Sequence, residues 1–96
     1  MKVLRTEEFN IWFSKCSIKE QALIDARVSR IEAFDHFGNW KYLNDGVAEL
    51  KWKSGLRIYF ARVGQKIILL LNGGKKNAQK KDIQKAKNIL QRYASI

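Results

Sequence analysis

Apolar and polar positions change their spacing about halfway along the chain. In the first half, Phe9, Trp12, Phe13 and Cys16 recur at i, i+3, i+4 and i+7, one face of a helix. Thr6 precedes them as a candidate N-cap, and Glu7 and Glu8 suit the positive end of the helix dipole. Ser17-Ile18-Lys19-Glu20 has the form of a capping box. It begins a second helix with Ile24, Val28, Ile31 and Phe34 as its stripe, and Gly38-Asn39 is the stop signal. With residues 2–5 as a short strand, the first half reads as a strand followed by a helical hairpin.

The second half has a period of two. Apolar and charged residues alternate in Ala48-Glu49-Leu50-Lys51-Trp52 and again in Leu56-Arg57-Ile58-Tyr59-Phe60. Lys53-Ser54-Gly55 between them fits a three-residue hairpin loop with glycine where a positive φ is wanted. That loop sets Trp52 opposite Leu56, Leu50 opposite Ile58 and Ala48 opposite Phe60 on the core face. Lys51 then faces Arg57, and Glu49 faces Tyr59, on a side expected to be open to solvent. A two-residue turn would mix the two faces, so the pattern rejects it.

Val63-Gly64-Gln65 is the next turn. Ile67–Leu71 is apolar at every position, which suits a strand covered on both sides. Asn72-Gly73-Gly74 is expected to end it. A helix follows from Ala78, with Ile83, Ala86, Leu90 and Tyr93 inside and Lys80, Lys81, Lys85, Lys87 and Arg92 outside. The order β-α-α-β-β-β-α predicts an α+β fold, an antiparallel meander with helices packed on one face.

Composition narrows the function. The 96 residues suit one domain, 1–96, without a low-complexity linker. The apolar run Ile67–Leu71 is far shorter than the ~20 residues of a membrane span, and Met1–Glu7 has no signal-peptide core, so a cytoplasmic protein is expected. Cys16 is the one cysteine and His36 the one histidine, too few for a Cys/His metal site, and no cofactor is implied. Cys16 lies on the apolar stripe and reads as a structural thiol rather than half of a catalytic pair. His36 reads as surface, and Trp12, Trp40 and Trp52 as packing.

Charge is distributed unevenly. Residues 1–48 carry seven Lys/Arg and seven Asp/Glu, whereas residues 49–96 carry twelve and two, which is the whole net charge of +10. A neutral half joined to a cationic one suits a polyanion, nucleic acid first. Glu49, Lys51, Arg57 and Tyr59 share the outer hairpin face, Lys53 stands at its tip, and Gly73-Gly74-Lys75-Lys76 lies at the end of the next strand. Two readings follow. The first is phosphate binding without sequence readout. The second is cleavage of RNA, whose own 2′-hydroxyl is the nucleophile. Such an enzyme needs a guanidinium fork for the phosphoryl oxygens and a group to move protons. A lysine among other cations can serve, and Glu49 is the one carboxylate expected on that face.

These residues resemble a known family. Glu49-Leu50-Lys51, Gly55-Leu56-Arg57-Ile58-Tyr59-Phe60, Leu70-Leu71-Asn72-Gly73-Gly74-Lys75-Lys76 and Gln79-Lys80-Lys81-Asp82-Ile83-Gln84-Lys85-Ala86 are similar, in order and over most of the chain, to the addiction-module killer proteins. These form the HigB-like branch of the RelE/ParE toxin superfamily. The resemblance implies a RelE-like fold and a type II toxin. Its activity would be metal-independent endoribonuclease cleavage of mRNA, in many members on the ribosome. Its partner would be a cognate antitoxin, commonly of helix-turn-helix type.

By position, Arg57 matches the arginine at the scissile phosphate and Lys76 a second basic residue beyond the strand-ending glycine. Lys51 and Lys53 match the basic hairpin residues, while Glu49, Lys75, Gln79, Lys80 and Lys81 fit the pattern of this branch. Arg57, Lys76, Lys51 and Glu49 are therefore the candidate catalytic residues. Lys53, Lys75, Gln79, Lys80 and Lys81 are the candidate RNA contacts. One departure stands out: the tyrosine or histidine that many relatives carry near the start of the last helix is replaced by Gln79-Lys80-Lys81-Asp82. The superfamily also contains gyrase inhibitors that cut no RNA, so a non-catalytic gyrase poison and a plain RNA- or ribosome-binding module are the alternatives.

Overall fold

A computed structural model describes residues 1–94. Its elements run β1 (Lys2–Arg5), α1 (Glu7–Ser14), α2 (Ile18–Phe34), β2 (Trp40–Asn44), β3 (Val47–Lys51), β4 (Leu56–Val63), β5 (Ile67–Lys75), a 3-10 turn (Lys76–Ala78) and α3 (Gln79–Ala94). The strands form one sheet in the order β1-β5-β4-β3-β2.

The helix starts follow the sequence signals. Thr6 Oγ1 accepts the Phe9 N–H at 3.0 Å, and the Ser17/Glu20 capping box is complete. α2 stops earlier than Gly38-Asn39, because Asp35 takes the left-handed conformation (φ 54°) directly after Phe34. Phe34, the last residue of α2, does not join the buried stripe and is 77% exposed.

Three sheet features depart from expectation. First, β1 runs parallel to β5, from Lys2↔Ile67 to Arg5↔Leu70, so the sheet is mixed rather than an antiparallel meander. A parallel pair needs a long crossover, and the helices and hairpins between the two strands supply it. Second, β2 is an additional strand, joined to β3 by Asp45-Gly46 with positive φ at both residues (51° and 81°). This is the geometry of a type I′ hairpin turn, for which Asp-Gly is a preferred pair.

Third, helices pack on both faces. Phe9 of α1 and Ile24, Val28 and Ile31 of α2 bury against Leu50, Ile58, Phe60, Ile68 and Leu70. Ala86 and Ile89 of α3 bury on the other side against Val47, Tyr59, Ala61, Leu69 and Leu71. Alternate residues of one strand must point to opposite faces. The uninterrupted apolar run of β5 therefore requires a cover on each side, and α3 is the second cover.

A buried arginine ties the helical layer to the central hairpin. Arg27 Nε donates to the Phe37 carbonyl at 2.8 Å, Nη1 to the Lys51 carbonyl at 2.6 Å and Nη2 to the Asn39 carbonyl. Its guanidinium also lies 4.4 Å from the centroid of the Trp52 ring. Gly38 (φ 73°) passes so close to this group that a Cβ there would stand 3.1 Å from Arg27 Nε. Burial first, and Arg30 second, lower the Arg27 pKa from its ordinary value.

Candidate nucleic-acid interface

The central hairpin has the register that its alternation predicts. Ala48↔Phe60, Glu49↔Tyr59, Leu50↔Ile58 and Lys51↔Arg57 are paired. Gly55 (φ 98°) closes the three-residue loop, with its N–H donating to the Trp52 carbonyl at 3.1 Å. Lys53 is thereby held at the exposed tip. Like charges directly opposite one another cost stability, so the Lys51–Arg57 pair is a feature that packing alone does not select.

β5 does not end at Asn72 as expected. It continues through Gly73 and Gly74 to Lys75, pairing Tyr59↔Asn72, Ile58↔Gly73, Arg57↔Gly74 and Leu56↔Lys75. Neither glycine has a positive φ. Their role is thinness: a Cβ on Gly73 would overlap the Trp12 ring on one face, and a Cβ on Gly74 would overlap the Asp82 carboxylate on the other. The pair is packed strand rather than the strand end expected at Asn72-Gly73-Gly74. It delivers Lys75 and Lys76 at a fixed place beside the hairpin tip.

The cations then gather in two adjoining depressions. One, of about 520 Å³, is lined by Lys53, Ser54, Gly55, Lys75, Lys76 and Asn77. The other, of about 970 Å³, runs along the outer side of α3 between Asn77 and Asn88 and includes Lys80, Lys81 and Lys85. Asn77 belongs to both, so the basic surface is continuous from the hairpin tip onto α3. Lys75 is ion-paired with Glu20, which anchors it to the helical hairpin. Among the described residues, no ion pair neutralises Lys53, Lys76, Lys80 or Lys81.

Beneath the first turns of α3 lie two cross-strand rows, a half-buried Lys51 with Arg57 and Gly74, and a buried Glu49–Tyr59–Asn72. Glu49 and Tyr59 were expected to face solvent. Glu49 is 2% exposed and Tyr59 is fully buried, because α3 covers that side of the hairpin. Gln79 Nε2 donates to Glu49 Oε2 at 2.9 Å, and Asn72 Nδ2 to the Asp82 carbonyl at 3.1 Å. Gln79 thus spends its amide on Glu49 within the protein.

Arg57, in the first of these rows, is 9% exposed. Its Nη1 donates to the Trp52 and Leu56 carbonyls at 3.1 and 3.0 Å, which fixes the plane of the guanidinium. Among the described residues, Arg57 Nε, the Tyr59 hydroxyl and Asn72 Oδ1 are buried without a hydrogen-bond partner. Burial raises the Tyr59 phenol above its usual value, and the Glu49 and Asp82 carboxylates raise it further against the opposing effect of Arg57. Asp82 is likewise raised by burial, with Lys85 and Lys81 pulling the other way. The strand alternation already sets Tyr59 beside Glu49 and Arg57, but it does not show that Asn72 and Asp82 join them in one polar cluster. The available signal was that Asp82 is the single acid in a strongly basic helix.

Cys16 is partly buried beyond the end of α1, and burial raises its pKa with Lys75 opposing. Among the described residues, no three His, Cys, Asp or Glu side chains are grouped to hold a metal ion, and no helix is long and apolar enough to cross a membrane.

A five-stranded sheet sandwiched between a helical hairpin and a C-terminal helix, with its cations at one end of the central hairpin, defines a RelE-like fold. The crystal structure of the isolated E. coli RelE toxin matches it with a TM-score of 0.65, over 86% of this chain and 95% of that one, at 11% identity. The chain belongs to the phage-derived protein Gp49-like family (DUF891), whose model matches residues 11–94. An uncharacterized protein of Haemophilus influenzae Rd is 36% identical over 94 residues, 95% of this chain and 94% of that protein.

Proposed function

We propose that this protein is the toxin of a type II toxin–antitoxin pair of HigB-like character and acts as a metal-independent endoribonuclease on mRNA in the cytoplasm. The observation that carries the reading is the Lys51–Arg57 cross-strand pair, set beside the cluster of Lys53, Lys75 and Lys76. The RelE-like fold supports it.

The chemistry is a transesterification. The 2′-oxygen loses its proton and attacks the adjacent phosphorus in line. The bond to the 5′-oxygen breaks, that oxygen takes up a proton, and the products are a 2′,3′-cyclic phosphate and a 5′-hydroxyl. Arg57 Nη2 makes no hydrogen bond among the described residues and is the donor free for a phosphoryl oxygen. With Nη1 already tied to two carbonyls, little reorganisation is needed as negative charge develops. Lys76 adds a second cation to the transition state. Lys51 moves protons, with Glu49 as its alternate. Lys53, Lys75, Lys80 and Lys81 hold flanking phosphates, and Gln79 acts through Glu49.

The burial of Glu49 favours a second reading, binding of RNA without cleavage, since it withdraws the one candidate carboxylate from the open surface. Mapping RNA ends after tightly controlled expression separates the two. New ends that vanish with Arg57→Ala support the nuclease. Bound but intact RNA supports the binding module. Intact mRNA with induction of DNA damage supports the gyrase alternative.

A further inference from the structure

The inward side of α3 changes character along its length. Gln79, Asp82, Ile83, Ala86 and Ile89 follow the spacing of one helical face and are partly or fully buried, while Lys80, Lys81, Gln84 and Lys85 between them are exposed. From Ile83 onward this face is apolar and rests on Val47, Ala61, Leu69 and Leu71. Its first turn is polar instead, and it rests on the polar row Glu49–Tyr59–Asn72. That row grips the turn from both sides of Tyr59. Gln79 Nε2 donates to Glu49 Oε2 of β3 at 2.9 Å, and Asn72 Nδ2 of β5 donates to the Asp82 carbonyl at 3.1 Å.

β3 and β5 flank β4, so the two anchors stand roughly 10 Å apart across the sheet. Two directional bonds at that separation fix the rotation of the helix start as well as its height, which the apolar contacts of Ile83 and Ala86 do not. The 3-10 turn leading into α3 begins at Lys75 without a side-chain cap, so the sheet supplies the anchoring. Glu49 and Asn72 are each 2% exposed. Among the described residues, Glu49 makes no ion pair, and its hydrogen-bond partner is the neutral Gln79 amide. A carboxylate buried on one neutral hydrogen bond costs stability that an apolar side chain there would not. Its benefit is geometric.

We infer that Glu49 and Asn72 are positioning residues, which pin the first turn of α3 from two strands and so set Lys76, Lys80 and Lys81 relative to Arg57, and that neither exchanges a proton with RNA. Lys80 and Lys81 lie between the two pinned residues, and Lys76 follows because the Gln79 N–H donates to its carbonyl. This rests on the reading of that surface as an RNA interface, and it narrows the part of Glu49 from alternate proton carrier to support. A proton carrier must come within hydrogen-bond reach of the 2′-oxygen, directly or through one water. Glu49 lies beneath α3 with Oε2 taken by the Gln79 amide.

The test compares two neutral replacements of similar size. Glu49→Gln keeps an acceptor for Gln79, and Glu49→Met does not, so charge is constant while the bond differs. Asn72→Leu removes the other anchor. Gln79→Met cuts the first bond from the partly exposed side and replaces Glu49→Met if that variant does not fold. Cleavage is followed at excess enzyme on RNA with and without translating ribosomes, and amide hydrogen exchange over residues 76–82 is read in parallel. Glu49→Met is expected to slow cleavage by about tenfold and Asn72→Leu by about fivefold, with the shape of the pH profile unchanged and exchange quickened by similar factors. Glu49→Gln should regain most of both losses. A proton carrier predicts otherwise: Glu49→Gln would fall as far as Glu49→Met, by about 10²-fold or more, and one limb of the pH profile would vanish. That outcome overturns the inference, as does exchange over residues 76–82 that is the same in the parent, Glu49→Met and Asn72→Leu. A parent that leaves RNA uncut under both conditions sinks the nuclease reading alone, and the exchange comparison then still decides whether the two side chains pin α3.

Discussion

Replacing Arg27 by Met is the most informative perturbation of the scaffold. The side chain is buried and joins α2 to the carbonyls of Phe37, Asn39 and Lys51. Methionine keeps most of the aliphatic volume and removes every donor. A hydrogen bond to a charged group contributes about 1.5–3 kcal/mol, so three would suggest roughly 5–9 kcal/mol if they were independent. Three effects lower that figure. The Asn39 carbonyl keeps the Lys51 N–H at 2.9 Å. The exposed loop at residues 38–39 admits water to the freed carbonyls. The buried cation also no longer has to be desolvated. The net expectation is a loss of about 2–3 kcal/mol, or a Tm lower by roughly 8–24 °C for a chain of this size.

Arg27→Lys is expected to recover little of this, because a point ammonium cannot span three carbonyls as the planar fork does. Urea unfolding followed by tryptophan fluorescence gives the value, with an unchanged m-value as the check that two states persist. A loss below about 0.5 kcal/mol in Arg27→Met would refute the reasoning. The consequence reaches function, because the Lys51 carbonyl is one of the three acceptors. Freeing it loosens the end of β3 that presents Lys51 and Lys53.

Gly74→Ala should cost about 1–3 kcal/mol through its clash with Asp82, and Asp82→Ala should restore part of it, a coupling that a double-mutant cycle in urea measures. Gly73→Ala carries a comparable penalty against Trp12. Tyr59→Phe removes a buried hydroxyl without a partner and should be neutral or stabilising by up to about 1 kcal/mol at pH 7. The raised Tyr59 pKa means that the folded state holds the proton longer, so stability falls as pH climbs above about 10, and Tyr59→Phe should flatten that limb of the curve. Asp82 is also raised, so folding is disfavoured as pH rises from about 4 through its folded value. Asp82→Asn should therefore gain stability over the parent at pH 7 and lose that advantage near pH 3, as read by thermal melts across the range.

The parts of this fold that were legible in sequence are those decided within a few residues. The N-caps Thr6 and Ser17 need only their own turn, and the Lys51–Arg57 register follows from strict alternation around one glycine. β2 escaped the pattern because an edge strand with most of its side chains exposed has little burial to impose alternation, although Asp45-Gly46 marked its hairpin. The parallel β1–β5 pair joins residues more than sixty positions apart, which no local period records. At the candidate site, the cations were legible and the burial was not. Gly73-Gly74 reads alike whether it loosens a loop or thins a strand, and only the approach of Trp12 and Asp82 distinguishes the two. Glu49 looked exposed because its strand shows one charged face, whereas α3 folds back over that face from thirty residues away.

The measurement that bears most directly on the proposed activity is 5′-end mapping of RNA after brief induction in cells, run beside purified protein on RNA with and without translating ribosomes. New 5′-hydroxyl ends are expected with the parent, lost by 10²-fold or more in Arg57→Ala, on the order expected for removing an oriented transition-state donor. They should be retained in Tyr59→Phe. Intact RNA with the parent, or undiminished cleavage by a folded Arg57→Ala, would contradict the assignment of the Lys51–Arg57 pair as the reaction centre.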